Sequence, residues 1–147
     1  MLFSPGCSST QKEYSDSGQS VTDLEWEVLR GVNDYRLSRD LDELRYDRVL
    51  AEVARDHSES MAARRSISHR GFQRRFDRLK PVGIVGLAEN LAMNGGYSNP
   101  AEATISGWDQ SPAHYRNLVS REYQFTGVGV ARDRKGVLYF TQLFGER

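Results

Sequence analysis

The chain has 147 residues, of which 38% are hydrophobic and 27% are charged, a composition typical of a single globular domain. Its 20 basic residues balance 20 acidic residues, so the formal net charge is zero. That balance argues against a dedicated nucleic-acid binder, because such proteins usually carry a strong basic excess. No apolar run is long enough for a transmembrane helix, so we do not expect the domain itself to span a bilayer.

Residues 1–21 predict a flexible leader rather than part of the folded domain. Cys7 is the only cysteine, which excludes an internal disulfide. The residues before it partly resemble the end of a bacterial lipoprotein signal, in which the cysteine is acylated; the alternative is an ordinary free cysteine. Residues 8–20 are polar and predict a tether. Acylation of Cys7 would then be the only route to a membrane, and residues 22–147 would form the domain.

Helical periodicity dominates the first part of the predicted domain. Thr22 and Glu25 form a capping-box pattern, and the apolar stripe that follows predicts a helix to about Ser38. Asp47 is suited to cap a second helix that runs to about Arg65. A mainly helical layer therefore precedes the rest of the fold.

The remaining sequence alternates irregular, extended and helical patterns. It predicts an irregular basic segment at 66–85, a strand around 88–93, a helix opened by Asn99-Pro100, a short helix opened by Ser111-Pro112, and a hairpin of 125–132 and 137–144. The last strand is apolar on both faces, so we expect both faces to be covered. Helices that precede a sheet covered on both sides predict an α+β domain of three layers.

Four polar residues in the second half are candidates for a site. His69 lies in an irregular segment, where a histidine is available for function. Glu89 lies among apolar neighbours and needs a partner, for which a histidine is the leading candidate; the alternative is an edge-strand glutamate that faces water. His114 lies in the first turn of a short helix, where the dipole favours the neutral imidazole that a metal requires. Gln142 lies in an apolar strand and should find a hydrogen-bond partner.

Other residues fit plainer interpretations. His57 falls on the apolar stripe of the second helix and predicts a core histidine. Cys7 lies in the tether, so a Cys/His nucleophilic pair is disfavoured. No nucleophile elbow, phosphate-binding glycine loop or His-Glu-x-x-His helix is present. The segment from Arg64 to Lys80 holds seven Arg or Lys residues, which predict a solvated surface or contact with anionic lipid or cell-wall polymer.

Several short motifs occur in a fixed order across residues 22–145. They are Val32-Asn-Asp-Tyr-Arg36, Ser68-His-Arg-Gly-Phe72, Ala88-Glu-Asn-Leu91, Gly107-Trp108, Ser111-Pro-Ala-His114, Gly127-Val-Gly-Val130 and Tyr139-Phe-Thr-Gln-Leu-Phe-Gly145. In this order they resemble the CAP superfamily (cysteine-rich secretory proteins, antigen 5 and pathogenesis-related 1, also called the SCP domain) in its compact bacterial form. The resemblance implies an α–β–α sandwich around a small, mostly antiparallel sheet.

The resemblance also implies a central cleft with two histidines and two acids. By motif, the histidines are His69 and His114 and the first acid is Glu89. The second acid would fall near Ser111, and Asp109 is an offset substitute. We therefore expect a cleft of His69, Glu89, His114 and Gln142, the first three being candidate ligands of Zn²⁺ or another divalent cation.

Three functions remain open at this point. The first is an extracytoplasmic bacterial protein, secreted or anchored, that binds a small ligand or lipid in this cleft with or without a divalent cation. The second is a metal-dependent hydrolase of a peptide or cell-wall bond. The third is a cell-envelope interaction module in which the histidines and Glu89 only rigidify the fold.

Overall fold

The computed structural model describes residues 19–147. The predicted acylation of Cys7 and most of the predicted leader lie outside these residues. The described elements are α1 (Val21–Leu37), β1 (Arg45–Tyr46), α2 (Arg48–Arg64), α3 (Phe72–Leu79), a 3-10 turn (Lys80–Val82), β2 (Gly86–Asn94), α4 (Pro100–Asp109), α5 (Pro112–Leu118), β3 (Phe125–Arg132) and β4 (Leu138–Glu146). None of the helices in this part of the chain combines the length and apolar character that crossing a membrane requires.

The four strands form one sheet in the order β1-β3-β4-β2. β4 pairs antiparallel with both β3 and β2, whereas the two residues of β1 pair parallel with β3. Helices α2 and α3 cover one face of the sheet, and α1, α4 and α5 cover the other. The prediction of an α+β sandwich of three layers with a mostly antiparallel sheet is confirmed.

Side-chain alternation along β4 explains how the sheet holds both layers. Phe140 and Phe144 are fully buried on the side of α1, while Leu143 is fully buried against α2 and α3. On β3, glycines let α2 lie directly on the strand. A Cβ atom added at Gly127 or Gly129 would lie 2.1 Å from a backbone nitrogen of α2, so no larger residue fits either position.

The start of α1 differs from the prediction. Ser20, not Thr22, caps the helix, because the Ser20 hydroxyl accepts a hydrogen bond from the backbone N–H of Asp23 at 3.1 Å. Glu25 does not return to the cap. It is buried and binds Arg55 on α2 instead, so Glu25 belongs to an ion pair between two helices and not to a capping box.

The segment predicted as irregular contains helix α3. Leu79 is fully buried and Arg75, four residues before it, is nearly so, whereas most of the intervening side chains face solvent. Eight residues with so few apolar positions give a weak periodic signal, and a buried arginine hides it further. The helices capped by Asp47 and by Asn99 agree with the prediction at both residues.

Candidate functional site

The candidate site is built around Glu89 on β2, an edge strand of the sheet. Successive residues of a strand point to opposite faces, and β2 uses this alternation at consecutive positions. The Glu89 side chain lies toward α3 and is 1% exposed. Asn90 lies toward α5, where its side-chain amide donates to the backbone carbonyl of His114 at 3.1 Å. One dipeptide therefore connects the two layers that carry the predicted histidines.

Arg75 is the principal partner of Glu89, and sequence reasoning missed it. Its Nε donates to one carboxylate oxygen at 2.7 Å and its Nη2 to the other at 2.7 Å. The pairing is bidentate, the geometry in which a guanidinium binds a carboxylate most strongly. A buried carboxylate does need a partner, as predicted, and α3 supplies a guanidinium in addition to the expected histidine. The sequence signal that could have indicated a buried Arg75 is its spacing from Leu79, which places both residues on one face of a helix.

His69 is the second partner of Glu89. Its Nδ1 lies 2.9 Å from the carboxylate oxygen Oε1, while the His69 side chain is 58% exposed. An ionised carboxylate only accepts hydrogen bonds, so Nδ1 carries the proton. In the neutral imidazole, Nε2 then keeps its lone pair, and within residues 19–147 it has no hydrogen-bond partner. The pair thus fixes an exposed imidazole with one free nitrogen.

His57 is a buried member of the same cluster. It is buried, as the prediction of a core histidine requires, and its Nε2 lies 2.7 Å from the backbone carbonyl of Ser68. Arg75 Nη1 lies 3.0 Å from Nδ1. Because a carbonyl can only accept and a guanidinium can only donate, His57 must be neutral with its proton on Nε2. Burial, and then the charge of Arg75, lower the pKa of His57, which agrees with this assignment.

His114 lies in the first turn of α5, as predicted, and is partly buried. Its pKa is lowered from the usual value, first by burial and then by the positive charge of His69. The direction agrees with the neutral imidazole expected from the sequence, and burial is its largest cause.

Gln142 is fully buried on β4. Its amide donates to the Thr126 hydroxyl at 3.0 Å, so it has the polar partner that the sequence required. Its Oε1 has no hydrogen-bond partner in the part of the chain that the structure describes. No hydrogen bond within that part joins Gln142 to the histidines or Glu89, and its side chain is buried away from solvent.

Asp109 has one partner on α1 and one just after the end of that helix. It accepts a hydrogen bond from the Tyr35 hydroxyl at 2.5 Å and lies 3.7 Å from Arg39. Burial, followed by the hydrogen bond to Asp109, raises the pKa of Tyr35 to about 12. This carboxylate therefore joins α1 to α4, and its bonds do not reach the two histidines.

The arrangement does not fit a metal site in which His69, His114 and Glu89 are all ligands. Residues 19–147 contain no group of three or more His, Cys, Asp or Glu side chains placed to hold a metal ion. Both oxygens of Glu89 accept hydrogen bonds from Arg75, so a metal on this carboxylate would have to displace a buried guanidinium. Glu89 is instead placed to orient His69, the role that a carboxylate often has behind a ligating histidine.

A sequence profile of the cysteine-rich secretory protein family, CAP, matches residues 29–144. The chain belongs to the CAP family. Its CAP domain is 35% identical over 130 residues to a protein of Bacillus subtilis named "Uncharacterized membrane protein YlbC". That alignment covers 86% of this chain and 35% of the Bacillus protein, so the chain spans about a third of that relative.

Solved structures of bacterial proteins share the fold of this CAP domain. An outer surface protein from Borrelia burgdorferi has a TM-score of 0.77 at 20% identity, with 87% of this chain and 96% of that one covered. An extracellular SCP-domain protein of Bacillus anthracis has a TM-score of 0.73 at 28% identity, with 86% and 41% covered. The predicted family and its sandwich fold are thereby confirmed.

Proposed function

We propose that the protein is an extracytoplasmic ligand-binding domain in which His69 and His114 contact the ligand. The observation that carries the proposal is that His69 is more than half exposed and yet is fixed by a fully buried carboxylate. Glu89 is anchored in turn by Arg75, so the imidazole keeps its orientation before any ligand arrives. Such preorganisation lowers the entropy cost of binding.

The ligand class follows from the chemistry of the two imidazoles. His69 Nε2 is available, and the lowered pKa of His114 keeps its ring neutral near pH 7. An imidazole nitrogen that keeps its lone pair can accept a hydrogen bond from a polar small molecule or a lipid headgroup. The two imidazoles could also bind a divalent cation, with Glu89 orienting His69 rather than acting as a ligand.

Two kinds of support favour a site outside the cytoplasm. The Bacillus anthracis relative, 28% identical, is described as extracellular. The sequence around Cys7 partly resembles a lipoprotein signal, and we propose acylation at that cysteine as the means of membrane attachment. The Borrelia outer surface protein, at 20% identity, supports the fold alone.

Native mass spectrometry of the protein mixed with lipid and small-molecule fractions of a bacterial envelope tests the ligand proposal. We expect a retained species that the double variant His69→Ala/His114→Ala loses. Asp109→Asn is the matched control, because this carboxylate pairs with α1. Equal retention by the protein and the double variant would contradict the proposal.

Hydrolysis is a second candidate, favoured by the Glu89–His69 pair. A carboxylate that fixes one imidazole nitrogen leaves the other able to act as a general base. Glu89 itself is a poor base here because three hydrogen bonds already reach its oxygens. Peptide or cell-wall turnover that is lost in His69→Ala would support this activity, and no turnover across such substrates would rule it out.

The remaining candidate is an envelope interaction module in which the cluster has only a structural role. It predicts a bound partner whose affinity is the same in the protein and in His69→Ala/His114→Ala. The exposure of His69 favours the ligand site over this alternative, because a purely structural imidazole gains little from facing solvent.

A further inference from the structure

We infer that a cavity between α2 and α3, separate from the exposed faces of His69 and His114, binds a phosphate group. The cavity has a volume of about 500 Å³. Its charged lining consists of Arg64, Arg70, Arg74, Arg75, Arg78 and one carboxylate, Asp56. Five guanidinium groups around one concave surface are an unusual concentration in a chain of zero net charge.

The positive charge of this cavity is only partly neutralised. Arg75 is paired with Glu89, and Arg78 with Asp56 at 2.6 Å. Within residues 19–147, Arg64, Arg70 and Arg74 have no carboxylate partner. The His57 ring, which also lines the cavity, is neutral and does not change this balance. Three uncompensated guanidinium groups therefore face the cavity.

Backbone donors add to the arginines. Helix α3 begins at the cavity after Gly71, which has a φ of 81° and supplies no side-chain cap. The backbone N–H groups of Gln73 and Arg74 donate no hydrogen bond within the described part of the chain, and both residues line the cavity. Free N–H groups at a helix N-terminus favour an anion. The arginine charges favour an anion as well.

These features select the class of ligand. Guanidinium groups bind phosphate oxygens through paired hydrogen bonds, and several together suit a tetrahedral dianion better than one carboxylate. The volume lies in the range of small-molecule sites, so a phosphate with a small organic group attached would fit. The phosphate could belong to a soluble phosphate ester or to the headgroup of an anionic lipid.

Inorganic phosphate titrated into the full chain, followed by backbone NMR at low ionic strength, tests the site. The cavity variant is Arg64→Gln/Arg70→Gln/Arg74→Gln. The matched control is Arg30→Gln/Arg121→Gln/Arg134→Gln, which removes three other exposed arginines without a carboxylate partner in the described chain. We expect phosphate to bind about tenfold or more weakly to the cavity variant, because three charge-assisted bonds are lost, and to change less than about twofold in the control.

Two further probes distinguish the source of the phosphate. Glycerol 3-phosphate tests a soluble ester, and phosphatidylglycerol vesicles, compared with phosphatidylcholine vesicles, test a lipid headgroup. Binding of either probe that the cavity variant loses and the control keeps would support the site and identify its source. Equal weakening in both variants would show general charge attraction, and that result, or no saturable binding of phosphate, would overturn the inference. All replaced residues are exposed, and thermal melts of both variants verify that they fold.

Discussion

Two buried glutamates, Glu25 and Glu89, have the same arginine partner geometry and lie in different parts of the domain. Glu25 on α1 binds Arg55 through two hydrogen bonds of 2.9 and 2.7 Å. Glu89 on β2 binds Arg75 through two hydrogen bonds of 2.7 Å. Both residues are 6% exposed, so burial alone does not distinguish them.

The second partner of each carboxylate makes the difference. Glu25 accepts a hydrogen bond from the backbone N–H of Val130 at 3.1 Å. Its hydrogen bonds therefore connect α1, α2 and β3. Glu89 accepts from His69, an exposed side chain. The same kind of buried ion pair therefore stabilises the packing of the domain around Glu25, whereas around Glu89 it holds a side chain that faces solvent.

The largest expected effect separates the two arginines. Arg75→Met should lower the free energy of unfolding by about 3–5 kcal/mol, because Glu89 would remain buried without its ion-pair partner. Arg55→Met should cost less, about 1–3 kcal/mol, because the Arg55 side chain is 37% exposed and Glu25 keeps the Val130 N–H. Urea unfolding of both variants measures the difference, and equal losses would contradict the larger cost expected for Arg75, the more deeply buried arginine.

The pH dependence of the free energy of unfolding should show whether His57, the buried histidine of the Glu89 cluster, is neutral in the folded protein. The pKa of His57 is lowered from 6.5, so between that value and its folded pKa the unfolded chain binds more protons. The stability that His57 contributes is therefore complete above pH 6.5 and is lost as the pH falls through the lowered folded pKa. His57→Gln should show a smaller loss of unfolding free energy between pH 7.5 and 5 than the unchanged protein.

His114 titrates in the same direction, so His114→Gln is the comparison for that experiment. Its ring is less buried than that of His57, and we expect its substitution to flatten the pH profile less. A profile that His57→Gln leaves unchanged would contradict the neutral His57 assigned from its hydrogen bonds.

The exposed end of the cluster should contribute little to stability. His69→Ala should lower the free energy of unfolding by less than about 1 kcal/mol, because the contact that it removes has one partner that is more than half exposed to solvent. Thermal and urea unfolding at pH 7.5 measure this effect. A loss as large as that of Arg75→Met would favour the purely structural role.

The smallest effect concerns the acid that the sequence offered as a substitute ligand. Asp109→Asn should lower the pKa of Tyr35 from about 12 while leaving it above 10, because burial is the larger cause of the shift. NMR of the Tyr35 ring across alkaline pH measures it, with Tyr35→Phe as the reference for assignment. A change in the titration of His114 in Asp109→Asn would place Asp109 at the cleft after all.

The sequence predicted the sandwich well because its helices and strands have clear apolar periods and caps, as at Asp47 and Asn99. It did not predict Arg75, because a buried arginine in a basic run has the same local pattern as a solvated one. Its ion pair with Glu89 is a contact between residues 14 apart that only the fold reveals. The motifs likewise named His69 and Glu89 but could not show that the carboxylate is already occupied.

Zinc titration into the metal-free protein, followed by NMR of the histidine rings, the Glu carboxyl carbons and the Arg Nε groups, tests the central claim most directly. The account predicts shifts at the rings of His69 and His114, with the Glu89 carboxyl and Arg75 Nε signals unchanged, and no such shifts in His69→Ala/His114→Ala. Loss of the Arg75 Nε signal together with a shift of the Glu89 carboxyl would mean that the carboxylate is a ligand. That result would contradict the account, in which the buried carboxylate orients His69 and is not itself a ligand.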